Sequence, residues 1–139
     1  MPIAIIRLSA LLRYTSHMNS RKQSLERQIE KIKQDLMQLD GLRMGSLSEQ
    51  YNVCGTPGCR CKASPPEKHG PYHQLSYTRK GKSTTRFIQK QNLTMVKRQL
   101  RNYARLRSLV DRWIDLAIEL ADIELIEAKQ TVAKRRIRA

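Results

Sequence analysis

Cys54-Gly55-Thr56-Pro57-Gly58-Cys59-Arg60-Cys61, followed by His69-Gly70-Pro71-Tyr72, divides the chain into two different kinds of sequence. Gly, Pro and Thr at this density read as tight turns, which no regular element can run through. On the N-terminal side, Leu25, Ile29, Ile32, Leu36 and Leu39 are spaced 4, 3, 4 and 3, with Met18 in the same register. That is a heptad seam, and it predicts a coiled-coil-type helix over 18–40, capped at Asn19 or Ser20 and ended by Gly41 and Gly45.

On the C-terminal side the period changes to two. His73, Leu75 and Tyr77 alternate with Gln74, Ser76 and Thr78, and Thr85 and Phe87 resume the alternation after Arg79-Lys80-Gly81-Lys82. Two alternating runs around a Gly-containing loop predict a β-hairpin. A lone hairpin is not stable in water, so it must lean on a helix or on the cysteine turn. Residues 45–91 therefore read as one module, a Cys-rich turn plus a hairpin. Val96, Leu100, Tyr103, Leu106, Val110, Trp113, Ala117 and Leu120 then form a continuous apolar stripe, with neither Gly nor Pro after Gly81. This predicts a long helix over 92–129, followed by a basic tail, 130–139. The fold class is α+β: two long helices with coiled-coil-like pairing, flanking the cysteine turn and the hairpin.

Composition narrows the function. The chain has 139 residues, a net charge of +15 and a pI near 10.3. A balance this basic favours polyanionic partners: DNA, RNA or an anionic membrane face. Aromatics are 5% of the chain, so helix packing, with self-association through the helices, must supply much of the stability. A membrane is not expected as partner: the apolar residues before Tyr14 are interrupted by Arg7 and Arg13 and are too few to span a bilayer. Pro2-Ile3 stands where a signal peptide would have basic residues. Met18, where the regular pattern begins, is an alternative start, with 1–17 read as an N-terminal extension. Three clustered cysteines make a poor disulfide framework and suit a reducing, cytoplasmic setting.

Three constellations can carry chemistry. Cys54, Cys59 and Cys61 with His69 offer three thiolates and an imidazole, the ligand set zinc takes. The plain alternative is three reduced cysteines packed in a turn. His73 shares a strand face with Leu75 and Tyr77 and is read as a packed strand residue. Arg60 and Lys62 would lower a thiol pKa, but no Cys-His-Asn/Asp set stands out, so a thiol-dependent enzyme is the weaker reading and no catalysis is expected. The second constellation is basic: Arg79, Lys80, Lys82 and Arg86 around the hairpin, then Lys97, Arg98, Arg101 and Arg105 at helical spacing. Such a strip can neutralise successive phosphates; its plain alternative is a solvated face. The third is the line Asp111, Asp115, Glu119 and Asp122. Two-metal sites gather carboxylates from several elements, whereas this line suits pairing with Arg21, Lys31 and Lys33 of the first helix.

The strings Gly45-Ser46-Leu47-Ser48-Glu49-Gln50-Tyr51-Asn52-Val53-Cys54-Gly55, Pro57-Gly58-Cys59-Arg60-Cys61, His69-Gly70-Pro71-Tyr72, Leu75-Ser76-Tyr77 and Gly81-Lys82 resemble a prokaryotic family of small proteins, domain of unknown function 6788. The resemblance runs from about Gly45 to Leu120. It implies a protein that accompanies mobile elements and transposase genes, and it supplies no catalytic residues. The expected function is a basic nucleic-acid-binding accessory protein linked to a mobile element. The alternative is a coiled-coil interaction module that docks a transposase or another partner.

Overall fold

The computed structural model describes residues 3–138, with side chains from Arg13 to Ile137. The order is α1 (Ile3–Met37), β1 (Ser46–Asn52), a 3₁₀ turn (Arg60–Lys62), β2 (His69–Arg79), β3 (Lys82–Ile88), a second 3₁₀ turn (Lys90–Asn92) and α2 (Leu93–Arg138). The class is α+β, as the two periods require. Three features differ from the sequence reading. The first helix begins at Ile3 and runs through Met18, so Asn19 and Ser20 lie inside it rather than capping it. The long helix continues through the basic tail to Arg138. Neither 3–37 nor 93–138 contains Gly or Pro, and Arg and Lys are good helix formers, so charge interrupts the apolar pattern without interrupting the backbone. The module read as a Cys-rich turn plus a hairpin also contains a strand ahead of the turn, β1, which makes the sheet three-stranded.

The chain forms two compact units, one from the residues up to Gln38 together with those from Leu106 onward, the other Leu39–Arg105. In the first, α1 and the later part of α2 run antiparallel. Arg21 grips Glu119 with two hydrogen bonds, Nε to Oε1 at 2.6 Å and Nη2 to Oε2 at 2.7 Å. Lys22 reaches Glu127 at 2.7 Å, Arg112 donates to Gln28 at 3.4 Å, and the Lys33 ammonium lies 5.6 Å from the Trp113 ring centre. The hydrogen bond with Arg21 holds the Glu119 carboxyl below its ordinary range, and the same pairing raises the arginine. Between these contacts Leu25, Ile29 and Ile32 are buried and Leu36 is half-buried. Trp113, Leu116, Ala117 and Leu120 are half-buried on α2. Val110 was counted in that stripe but is exposed, in line with Ile114, Ile118, Leu125 and Val132 on another face of α2.

In the second unit the strands run antiparallel in the order β1-β2-β3. β2 and β3 join through Lys80 (φ 49°) and Gly81 (φ 74°), two left-handed residues that close a tight hairpin with Arg79 opposite Lys82. Leu47, Leu75 and Arg86 stand side by side, so odd residues of β1 and β2 share a face with even residues of β3. That face holds Leu75, fully buried, with Leu47, Tyr77 and Ile88 half-buried. The other face carries Ser46, Ser48, Gln50, Tyr72, Gln74, Ser76, Thr78, Ser83, Thr85 and Phe87; none is buried and none is charged. Cys61, Leu75 and Val96 are this unit's fully buried apolar side chains. The segment before β1 is tied to the start of α2: Arg43 N–H donates to the Gln99 carbonyl at 3.1 Å, and its Nε donates to Gln99 Oε1 at 2.9 Å. Asn102 donates to the Gly41 carbonyl at 3.1 Å and to Asp40.

Because Leu25 and Leu75 are both 0% exposed, truncating either to Ala should cost about 2–5 kcal/mol of unfolding free energy. Met37→Ala, at a side chain 87% exposed, should leave the midpoint of a urea titration unmoved.

Candidate metal centre

The four candidate ligands come from three pieces of backbone. Cys54 follows the end of β1, Cys59 and Cys61 bracket the entry to the first 3₁₀ turn, and His69 is the first residue of β2. The sequence placed His69 in a loop; it is in fact paired with Asn52 in the sheet. The last regular pair before it is Gln50↔Tyr72, so β2 has one more residue than β1 across this interval, at Gly70-Pro71. Pro71 has no N–H to lose at an irregular position. Gly70 has φ 145°, and a Cβ there would lie 2.8 Å from the Gln50 carbonyl oxygen and 2.9 Å from the Tyr51 ring. Glycine at 70 therefore lets β2 come close enough for His69 to reach the cysteines.

The ligand atoms of Cys54, Cys59, Cys61 and His69 all lie within 4.8 Å of one another. Cys54 Sγ and Cys61 Sγ are 3.6 Å apart, and Cys59 Sγ is 3.2 Å from His69 Nε2. A tetrahedral ion with metal–sulfur bonds near 2.3 Å sets sulfurs about 3.8 Å apart and sulfur and nitrogen about 3.5 Å apart. The arrangement is compatible with a metal site in separation, donor type and number. All three cysteines are free thiols. The turn is held by its own backbone: Lys62 N–H donates to the Cys59 carbonyl at 3.0 Å, and Ala63 and Glu67 N–H both donate to the Arg60 carbonyl at 3.1 Å. Cys61 is buried on the inner side, where it also accepts from the Cys54 N–H at 3.4 Å. Cys54, Cys59 and His69 line an open recess with Thr56, Pro57, Gly58 and Tyr72.

The thiols are electrostatically unequal. The Thr56 backbone N–H, then the Thr56 hydroxyl, His69 and Cys59, stabilise the Cys54 thiolate and lower its pKa to about 6. Burial pushes the Cys61 thiol up. Thr56 was not singled out from the sequence, where a hydroxyl in a Gly/Pro turn has no distinguishing pattern. His73, read as a packed strand residue, stands apart from the cluster with Nδ1 4.0 Å from Glu49.

The Domain of unknown function DUF6788 profile matches residues 22–98, more than half of the chain and the whole of the cysteine cluster and sheet. The chain belongs to the DUF6788 family. The family assigns no activity, so the DUF6788 domain has to be read from its own geometry. No curated protein and no solved structure matches it.

The basic candidates sit elsewhere in the second unit. Arg79, Lys80, Lys82, Arg86, Lys97, Arg98, Arg101 and Arg105 are all exposed. Arg79, Lys82 and Arg86 line one open recess with Tyr77 and Ser83–Thr85. Arg98 faces Asp40 at 3.8 Å. No helix of the described residues is long and apolar enough to cross a membrane.

The thiol inequality is measurable. In metal-free protein at neutral pH, iodoacetamide should label Cys54 first and the buried Cys61 last. Because the thiolate is the nucleophile and Cys54 is depressed to about 6, its labelling rate should fall as the pH drops through about 6. Peptide mass mapping reads both the order and the pH dependence.

Proposed function

We propose that this protein is a zinc-stapled nucleic-acid-binding module that engages phosphate backbones through its cationic sheet unit. The observation that carries the reading is a charge arrangement that works against folding. Arg79 and Lys82 are direct cross-strand partners on one face, with Lys80 between them in the turn. Like charges directly opposite in a ladder are destabilising. Among the described residues no ion pair engages any of the three. Residues 39–105 carry thirteen Lys and Arg against three acids, and each acid already faces a cation or a histidine: Asp40 with Arg98, Glu67 with Arg60, Glu49 with His73. An excess of this size costs the fold self-repulsion, which a bound polyanion would relieve.

The metal's part is structural. Three thiolates and a neutral imidazole complete a tetrahedron without leaving a position for water or substrate, as in closed structural zinc sites rather than catalytic ones. This supports a binding protein over an enzyme. The ion would hold the exit of β1 against the entry of β2, and Arg60 and Lys62 would offset the net negative charge of the complex.

A second reading is favoured by one observation, the exposed apolar line Val110, Ile114, Ile118, Leu125 and Val132 on α2. The same face of the helix passes from acids (Asp111, Asp115, Asp122) to bases (Lys129, Arg135, Arg136). Two copies laid antiparallel would cover the apolar line in coiled-coil fashion and set the acids of each against the bases of the other. Self-association is compatible with nucleic-acid binding and would double the cationic surface.

Elemental analysis of purified protein should find about one zinc per chain, and chelation should lower the melting temperature because binding energy is folding energy. Gel shifts at two salt concentrations should show binding to DNA or RNA. If about five phosphates are neutralised, the log–log salt slope on duplex DNA should be roughly −4 to −5. Changing Arg79, Lys82 and Arg101 together to Gln should flatten that slope and weaken binding to all sequences alike. No binding to any polynucleotide at low salt would defeat the reading. Ile118→Glu should convert a dimer to a monomer in light scattering; an unchanged mass would remove the second reading.

A further inference from the structure

The outer face of the sheet is an unexplained surface. Antiparallel sheets commonly keep one face in water by lining it with polar side chains, and here the ten outward residues carry no charge. Two are large aromatics left in water, Phe87 at 70% and Tyr72 at 45% exposure. They are not scattered. Gln74 pairs directly with Phe87, and Tyr72 is two residues along the same strand, so the rings are diagonal neighbours, about 7–8 Å apart at the backbone. Together they line a shallow recess with Pro71, His73, Ile88, Gln89 and Lys90. Beyond them the surface is hydroxyls and amides held by their own hydrogen bonds: Ser76 with Thr85 at 3.2 Å, Thr78 with Ser83 at 2.9 Å, Gln50 with Ser48 at 3.2 Å.

We propose that this face is a stacking platform for the bases of single-stranded nucleic acid, with Phe87 and Tyr72 as the two ring positions. The inference rests on the phosphate-binding reading above and names its substrate class. Nucleobases need flat apolar partners and neutral donors and acceptors, and the face supplies these. Phosphates need cations, and the ends of the face supply these: Lys90 beside the aromatic recess at one end and Lys80 in the hairpin turn at the other, where Arg79 and Lys82, rooted on the opposite face, add to the local positive charge. β3 spans seven residues, about 20 Å between those ends, the length of a few unstacked nucleotides. A duplex hides its base faces within the stack and would meet only the rim.

The test uses the full-length, metal-replete chain and fluorescence anisotropy with labelled oligo(dT), oligo(rU) and a duplex of similar length. Phe87→Ala should weaken binding to the single strands by about tenfold, the scale of one lost base–aromatic stack. The salt slope and the duplex affinity should stay as they are. Phe87→Trp should restore single-strand binding, and the oligonucleotide should quench its fluorescence beyond any change in the parent, whose one tryptophan is Trp113. The oligo(dT) and oligo(rU) arms separate a DNA from an RNA preference. If Phe87→Ala binds single strands as the parent does, or loses duplex and single strand equally, the platform is overturned. If the Arg79, Lys82 and Arg101 variant still weakens binding in that case, the phosphate-binding reading survives it. Absence of binding to all three probes at low salt overturns both.

Discussion

A chain segment of sixteen residues, Val53 to Lys68, must be closed between two paired strands, and it has almost nothing apolar with which to close itself. Its one buried side chain is Cys61. The unit it belongs to has Leu75 and Val96 as its other fully buried apolar side chains. Loop closure costs entropy whatever the loop contains, and so small a core leaves little surplus to meet it. The gathering of three sulfurs and an imidazole is what the segment has in place of a core. The cluster lies at the end of the sheet distant from the hairpin, where it joins the exit of β1 to the entry of β2 beside the irregularity at Gly70-Pro71.

The two units use charge in opposite ways. In the helical unit, acids and bases meet in pairs, as with Arg21 and Glu119 or Lys22 and Glu127. These exposed pairs add little stability individually, but they set which parts of the helices lie together while Leu25, Ile29 and Ile32 supply the burial. In the sheet unit cations outnumber acids more than four to one, and pairing cannot consume them. One long helix thus carries basic residues in the stretch that belongs to the sheet unit and mainly acidic ones where it first joins the helical unit. The net charge of the whole chain conceals this division.

Much of the architecture was legible because each element announces its period. The 4-3-4-3 spacing from Leu25 gave the buried seam, and the alternation from His73 with Gly81 gave the hairpin. The cluster of Cys54, Cys59, Cys61 and His69 was legible because thiols and an imidazole close in sequence within a Gly/Pro turn are brought close in space by it. β1 was missed because Ser46-Leu47-Ser48-Glu49-Gln50 alternates with one apolar residue only, and a strand at a sheet edge needs no more than that. The helix boundaries were missed because charge was taken as a structural break, whereas the backbone responds to Gly and Pro. The uncharged outer face was hidden for a different reason: it is a property of three strands in register, and no single segment displays it. Val110 was placed in the covered stripe because a helix with two apolar faces yields one continuous pattern in sequence.

Lys80 sits at φ 49°, in a conformation that glycine or asparagine adopts at less cost than a lysine does. The hairpin would close more easily with either of those residues in its first turn position. Replacement would stabilise the turn and remove a cation from its tip in the same step. Any substitution here that eases the turn therefore also lowers the positive charge at the hairpin tip, so turn stability and tip charge cannot both be raised at this position.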